Sequence, residues 1–173
     1  KEIAQDLGYE RIDFIDDHNS HAIGKIKDLE NFKEYRNAFV GIGNNKLRNE
    51  LIDLLERLGY QVPVLIHPTA YISRSALIEA GTVVEPQAIV NANTKIKKGS
   101  IVSVGAIIDH DVTLGKCVHV NAGAIVEAGG KVKDFEKLEA GSVRRGFRQA
   151  LVAANSNDEF VREEKTGMDI SFF

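Results

Sequence analysis

The chain has a single cysteine, Cys117, among its 173 residues. It cannot form an internal disulfide, which fits a reducing compartment such as the cytoplasm. No uninterrupted apolar run approaches the length of a membrane span, and no signal peptide is visible. Charge of neither sign dominates. Lys and Arg number 22 and Asp and Glu 25, for a net charge of −3, so there is no electrostatic case for nucleic acid or an anionic membrane surface as partner. An initiator Met is also lacking. The chain opens on Lys-Glu-Ile-Ala-Gln-Asp-Leu-Gly-Tyr, the back half of a helix stopped by Gly8, which predicts a leading segment upstream. A length of 173 residues with 43% hydrophobic content suits one soluble domain or two small ones.

What is present is a repeat. Ile72, Ile78, Val84, Val90, Ile96, Val102, Ile108, Leu114, Val120, Val126, Val132 and Leu138 follow one another at intervals of six. Ile, Leu and Val make up about a quarter of the chain, so chance does not produce such a run. Neither an amphipathic helix nor a half-buried strand has this period. It is the signature of a parallel β-helix, in which each hexad contributes one short strand and one corner. The residue two places before each aliphatic is small in most hexads (Ala88, Thr94, Ser100, Ala106), as a narrow interior requires. The residue before that is often Gly, Asn or Asp, types that tolerate left-handed backbone at a tight corner. Three hexads per coil would stack residues 18 apart, as in the ladder Gly105, Gly123, Gly141. Coils at ~4.8 Å spacing give a prism roughly 19 Å tall.

Residues 1–66 read differently. Ile12–Ile15, Phe39–Gly43 and Val62–Ile66 are short buried strands. A helix capped by Asn45 presents Leu47, Leu51, Leu54, Leu55 and Leu58 and is closed by Gly59. Alternating strands and helices predict a small parallel α/β sheet. His67-Pro68 marks the boundary, the hexads run over 67–143, and 144–173 is a polar tail, with a short helix expected over Gln149–Ala154.

A β-helix has an aliphatic interior, so its chemistry lies at the corners. The richest corner is Asp109-His110-Asp111. A histidine beside a carboxylate has the parts of a general base: the acid orients the ring and stabilises its protonated form. Ala92 and Ala128 stack below and above His110, leaving room for a substrate. His119 follows nine residues on. His18 and His21 read as solvated loop residues, His67 as structural and Cys117 as a packing residue.

These parts resemble the hexapeptide-repeat acetyltransferases that modify nucleotide-linked amino sugars, and the related sialic-acid O-acetyltransferases. The resemblance covers residues 1 to about 143. Its strongest pieces are Phe-Ile-Asp-Asp (14–17), Gly-Ile-Gly-Asn-Asn-Lys-Leu-Arg (41–48), Ile-His-Pro-Thr-Ala-Tyr-Ile-Ser (66–73), and Ile-Ile-Asp-His-Asp with Val-His-Val (107–111 and 118–120). It implies a Rossmann-like nucleotide-sugar domain over 1–66, its first strand apparently absent, followed by a left-handed parallel β-helix. It implies acetyl-CoA as co-substrate, a nucleotide sugar as acceptor, and a homotrimer with acetyl-CoA in the groove between prisms. By the same resemblance His110 is the general base, Asp111 its carboxylate partner, and His119 the second histidine near the acetyl group. Ala128 supplies a backbone N–H to the acetyl oxygen, Asp16 and Asp17 bind the nucleotide, and Gly43 and Asn44 line the sugar site. No metal is implied.

The sequence departs from that pattern at three points. The Gly-rich turn after the first strand is absent, Ser103 stands where relatives can have Asn, and the closing coils with Gly-x-Pro-Ala are replaced from Arg144 onward. The leading expectation is acetyl transfer to an amine, with sialic-acid O-acetylation as the alternative. A non-catalytic scaffold is a further reading, as is a γ-type carbonic anhydrase. The latter needs two histidine ligands five residues apart, a spacing this β-helix does not contain.

Overall fold

The computed structural model describes residues 1–147. The helix expected over Gln149–Ala154 lies outside the described residues, as does most of the expected tail. From Leu65 onward the chain forms two-residue parallel rungs that build a three-sided prism. Face I stacks Leu65–Ile66, Val83–Val84, Ile101–Val102, His119–Val120 and Lys137–Leu138. Face II stacks Tyr71–Ile72, Ile89–Val90, Ile107–Ile108, Ile125–Val126 and Val143–Arg144. Face III stacks Leu77–Ile78, Lys95–Ile96, Thr113–Leu114 and Lys131–Val132. Each register joins residues 18 apart, as the six-residue period requires.

The second residue of each rung points inward. Val84, Val90, Val102, Ile108, Leu114, Val120 and Val126 are fully buried, joined by Ala88, Ala106, Val112, Val118 and Ala124 from the corners. Each such aliphatic contributes roughly 1.5–3 kcal/mol. Every sixth residue from Gly81 to Gly141 has φ between 49° and 72°. Most are Gly, Asn or Asp, but Gln87, Cys117 and Phe135 adopt the same conformation, so the ladder of backbone hydrogen bonds overrides local preference there. The aliphatic pattern ends at Leu138, yet Arg144 still pairs with Val126, because a rung needs only backbone groups from its neighbour.

The N-terminal region corrects several expectations. Its three strands do not form a sheet. Among the described residues only isolated bridges occur there, Ile15 with Gly24 and Asn37 with Gln61. A strand exists only through a hydrogen-bonded neighbour, and Leu65–Ile66 takes its neighbour, Val83–Val84, from the β-helix. The helices are α1 (Glu2–Asp6) and α2 (Asn45–Arg57), with a 3-10 segment at Ile26–Asn31. Asn44, rather than Asn45, caps α2, its side chain accepting from Leu47 N–H. The innermost stripe of α2 is Arg48, Ile52 and Leu55, while Leu47 is exposed. The helix is rotated because this stripe faces the III–I corner of the prism. There Gly99 lies so close that a Cβ on it would sit 2.7 Å from Ile52 Cδ1 and 2.6 Å from Cys117 Sγ. A second core of Leu29, Val40, Ile52, Leu55, Tyr60, Val62 and Cys117 seals this contact. Cys117 is buried packing, as expected, and burial raises its thiol pKa.

Leu114→Ala is expected to lower stability by about 2–5 kcal/mol in urea denaturation. Val102→Asp is expected to abolish the cooperative transition, and Lys95→Ala on the outer surface to change stability by less than about 0.5 kcal/mol. A normal transition for Val102→Asp contradicts the inward register.

Candidate active site

His110 and Asp111 occupy the II–III corner. Asp111 has φ 58°, which turns its carboxylate back toward the preceding ring, and Asp111 Oδ2 lies 2.8 Å from His110 Nδ1. The ionised carboxylate only accepts, so Nδ1 carries the proton and Nε2 is left as the basic nitrogen. Nε2 makes no hydrogen bond among the described residues. The His110 side chain is 51% exposed, so its lone pair is open to a reactant.

The dyad is braced from the coil below. Asn93 Nδ2 donates to Asp111 Oδ1 at 3.2 Å, and Asn91 Nδ2 donates to Asp109 Oδ1 at 3.2 Å. Asp109 Oδ1 also accepts from His110 N–H at 2.7 Å, and its carbonyl accepts from Thr94 Oγ1 at 2.8 Å. The hydrogen bond to Asp111 raises the His110 pKa. Hydrogen bonds from His110 and then Asn93 lower that of Asp111.

Ala92 and Ala128 bracket His110 as the 18-residue stack predicted. Asp111 N–H donates to Ala92 O, and Gly129 N–H donates to His110 O, both at 2.9 Å. Ala128 N–H has no acceptor among the described residues. At the equivalent places His110 and Ala122 donate to the side chain just before them, Asp109 and Asn121. The residue before Ala128 is Glu127, whose carboxylate is turned to Arg145 and to Gly146 N–H. Among the described residues this donor is thus left without an acceptor one coil above His110.

His119 stands outward on face I, between Ile101 and Lys137 in its column. Its Nε2 lies 3.2 Å from Ser103 Oγ, and its Nδ1 is buried with no partner among the described residues. Burial lowers its pKa, and the positive charges of Arg48 and Lys137 act in the same direction. Face I lies opposite the II–III corner, so a single chain does not bring His119 to His110.

The remaining expected residues lie in the N-terminal region. Asp16 and Asp17 are exposed. Asp16 Oδ1 accepts from His18 and Asn19 N–H at 2.8 and 3.1 Å, and Asp17 Oδ1 accepts from Ile26 N–H at 2.9 Å. Each carboxylate keeps one oxygen outside these turn contacts. Gly43 and Asn44 form the turn into α2, and among the described residues no hydrogen bond ties these four residues to His110 or His119. His67 is structural, as expected: Nδ1 lies 2.8 Å from Thr69 Oγ1 and Nε2 lies 3.5 Å from Asp6. Among the described residues no three His, Cys, Asp or Glu side chains cluster to hold a metal, and no helix is long and apolar enough to cross a membrane.

Sequence reasoning missed the bracing residues Asn91 and Asn93 and the Ser103–His119 contact. Aligning the sequence in rows of 18 places Asn91 under Asp109 and Asn93 under Asp111, so that signal was available.

Residues 1–55 match the family model described as PglD N-terminal domain. The acetyltransferase domain of PglB from Neisseria gonorrhoeae FA1090, solved in complex with acetyl coenzyme A, is 34% identical. It aligns over 84% of this chain and 75% of its own with a TM-score of 0.80. Another structure of that domain gives 35%, the same coverage and 0.81. PerB from Caulobacter crescentus, in complex with CoA and GDP-perosamine, shares the fold at 23% identity, over 84% of this chain and 82% of its own, with a TM-score of 0.72. This chain belongs to the hexapeptide-repeat sugar acetyltransferases: a Rossmann-like subdomain followed by a left-handed parallel β-helix, and an acetyltransferase by family.

Imidazole NMR titration is expected to give His110 a pKa above the ordinary value of about 6.5 and His119 one below it. Asp111→Asn is expected to bring His110 down toward that value while leaving His119 in place. A His110 pKa unmoved by this change removes Asp111 as its partner.

Proposed function

We propose that this protein moves the acetyl group of acetyl-CoA to the amine of a nucleotide-activated amino sugar in the cytoplasm, by direct attack with His110 as general base. The observation that carries this reading is the braced His110–Asp111 pair, open on its Nε2 side and bordered by two alanines. In the reaction the sugar amine attacks the thioester carbonyl carbon while Nε2 of His110 takes the amine proton. The C–S bond of the tetrahedral intermediate then breaks, and the proton passes to the departing CoA sulfur. Asp111 stabilises the imidazolium in between. The Ala128 N–H, which has no acceptor among the described residues, fits a developing oxyanion. Neutral His119, its Nε2 facing Ser103, fits a role beside the acetyl group. No covalent intermediate is called for, since Cys117 is buried with a raised pKa and a thiol is a poor nucleophile in that state. Asp16 and Asp17 are assigned to the nucleotide, and Gly43 and Asn44 to the sugar.

The working unit in this proposal is a homotrimer. The outward residues of face II, Tyr71, Ile89, Ile107, Ile125 and Val143, form one continuous apolar ladder, whereas on face III only Leu77 is apolar and Lys95, Thr113 and Lys131 follow it. Such a ladder favours cover by a second copy, and cyclic packing of three prisms sets a face of one against a corner of the next. That arrangement brings His119 of one copy toward His110 of its neighbour, with acetyl-CoA in the cleft.

His110→Ala is expected to lower turnover by about 10²–10⁴-fold with the assembly intact. The assay sets a UDP-4-amino sugar beside free and CMP-linked sialic acid. Acetylation of sialic acid alone replaces the amine reading with the hydroxyl one, and most activity retained in His110→Ala removes the base. The acidic limb of kcat/KM is expected above pH ~6.5, because His110 must lose its proton to act, and it moves to lower pH in Asp111→Asn. Ile107→Lys is expected to give monomers by light scattering and to abolish turnover. A fully active monomer rules out the shared site.

A further inference from the structure

Arg48 is fully buried, and among the described residues no carboxylate hydrogen-bonds to it. Its guanidinium is held by neutral acceptors only. Nε donates to Gly99 O at 2.7 Å, Nη1 to Ile42 O at 2.7 Å, and Nη2 to Asn45 Oδ1 at 2.7 Å and Cys117 O at 3.0 Å. Asn45 carries the string onward, its Nδ2 donating to Phe135 O at 2.9 Å and Glu136 O at 3.2 Å. Gly99, Cys117 and Phe135 are the left-handed residues of three successive coils at the III–I corner. Their carbonyls receive no other hydrogen bond among the described residues.

A buried charge without a counter-ion is unfavourable unless its donors are satisfied, and a hydrophobic residue in its place is often neutral or stabilising. Anchoring α2 does not require it, since Lys98 already binds Asp53 at 2.7 Å and Glu56 at 3.0 Å, and Ile52 and Leu55 are buried in the second core. What only Arg48 does is join the carbonyl of Ile42, inside the Gly41–Asn44 turn, to the coil that leads through Cys117 to His119. The planar fork fixes both separation and angle, which a point-like ammonium does not.

We propose that Arg48 is a positioning residue that holds the acceptor-lining Gly41–Asn44 turn in register with the His119 coil of the β-helix, and so sets how the acceptor meets the acetyl group. This rests on the reading of Gly43 and Asn44 as acceptor-facing. The charge of Arg48 also bears on His119, whose lowered pKa it reinforces.

The test uses Arg48→Lys and Arg48→Met in the full chain. The Michaelis constant for the nucleotide amino sugar is expected to rise at least tenfold in both, with that for acetyl-CoA within twofold and the assembly unchanged. A residue that only stabilises the fold lowers the active fraction and leaves both constants alone, and that result overturns the inference. If Arg48→Met does not fold, Arg48→Lys and Asn45→Ala carry the test; the latter is expected to shift the acceptor constant in the same direction by a smaller factor. Hydrogen exchange without substrates separates the two levels. Amides 42–47 are expected to exchange faster in Arg48→Lys while the coils from Val84 to Val132 stay protected. Unchanged exchange overturns the inference. Faster exchange in a protein whose wild type acetylates no nucleotide amino sugar upholds the coupling and overturns the acceptor reading.

Discussion

The inward column of aliphatic side chains governs where everything else in this molecule can be. Once Val84 to Leu138 are stacked inside, the interior has no space for a polar group beyond the small hydroxyls of Thr82, Thr94 and Ser100, all fully buried. Each rung spends its backbone groups on the rungs above and below. What remains chemically free is the outward side chain of each rung, the corner side chains, and the N–H and C=O groups that the corner geometry leaves unpaired. A site on this scaffold is therefore built from columns, in which a residue is supported by whatever stands 18 places away.

That logic explains how one simple repeat yields two histidines in opposite electrostatic conditions. His110 lies at a corner with a carboxylate at 2.8 Å and a second carboxylate, Asp109, bonded to its own N–H; its pKa rises. His119 lies on a flat face, half-buried, beneath a lysine and near a buried arginine; its pKa falls. The contrast comes from position in the hexad and not from any difference in side chain. A pair with separated pKa values suits one group to take a proton and the other to stay neutral at the same pH.

The β-helix was legible because its signal is a period, and a period survives substitutions that would defeat propensity. Gln87, Cys117 and Phe135 are poor choices for left-handed backbone, yet the register carries through them. The His110–Asp111 pair was legible for the same reason: its place in the hexad put it outside. Residues 1–66 were harder to read. Their apolar segments have strand-like composition, but a strand is a relation between two segments: Leu65–Ile66 has its partner Val83–Val84 marked 18 places on, whereas no period marks a partner for Ile12–Ile15 or Phe39–Gly43. On α2 the expected apolar face holds for Leu51, Leu54, Leu55 and Leu58, which are buried or packed on the second core, but not for exposed Leu47, and it passes over Arg48, which is turned fully inward. Only the unpaired corner carbonyls make that orientation favourable, and they become visible when the helix and the coils are seen together.

The three corners of the prism are not equivalent, and small residues decide their uses. At the III–I corner Gly99 and Gly81 admit α2, which then covers the coil around Cys117. At the II–III corner the small residues Ala92 and Ala128 stack below and above the imidazole, while at Gly129 the Phe147 ring packs so closely that an added Cβ would lie 2.1 Å from it. At the I–II corner Gly105, Gly123 and Gly141 meet no atom within 4 Å, and Val104 is exposed beside the apolar ladder of face II. One corner thus receives the chain's own N-terminal region, one carries the His110–Asp111 pair, and one, among the described residues, stands clear next to the apolar ladder of face II. Because a three-sided prism sets a corner opposite each face, the imidazole at the II–III corner and the imidazole on face I stay apart in a single copy whatever their rotamers. In the proposed trimer a second prism brings them together, and the I–II corner with its neighbouring apolar face is where the two would meet.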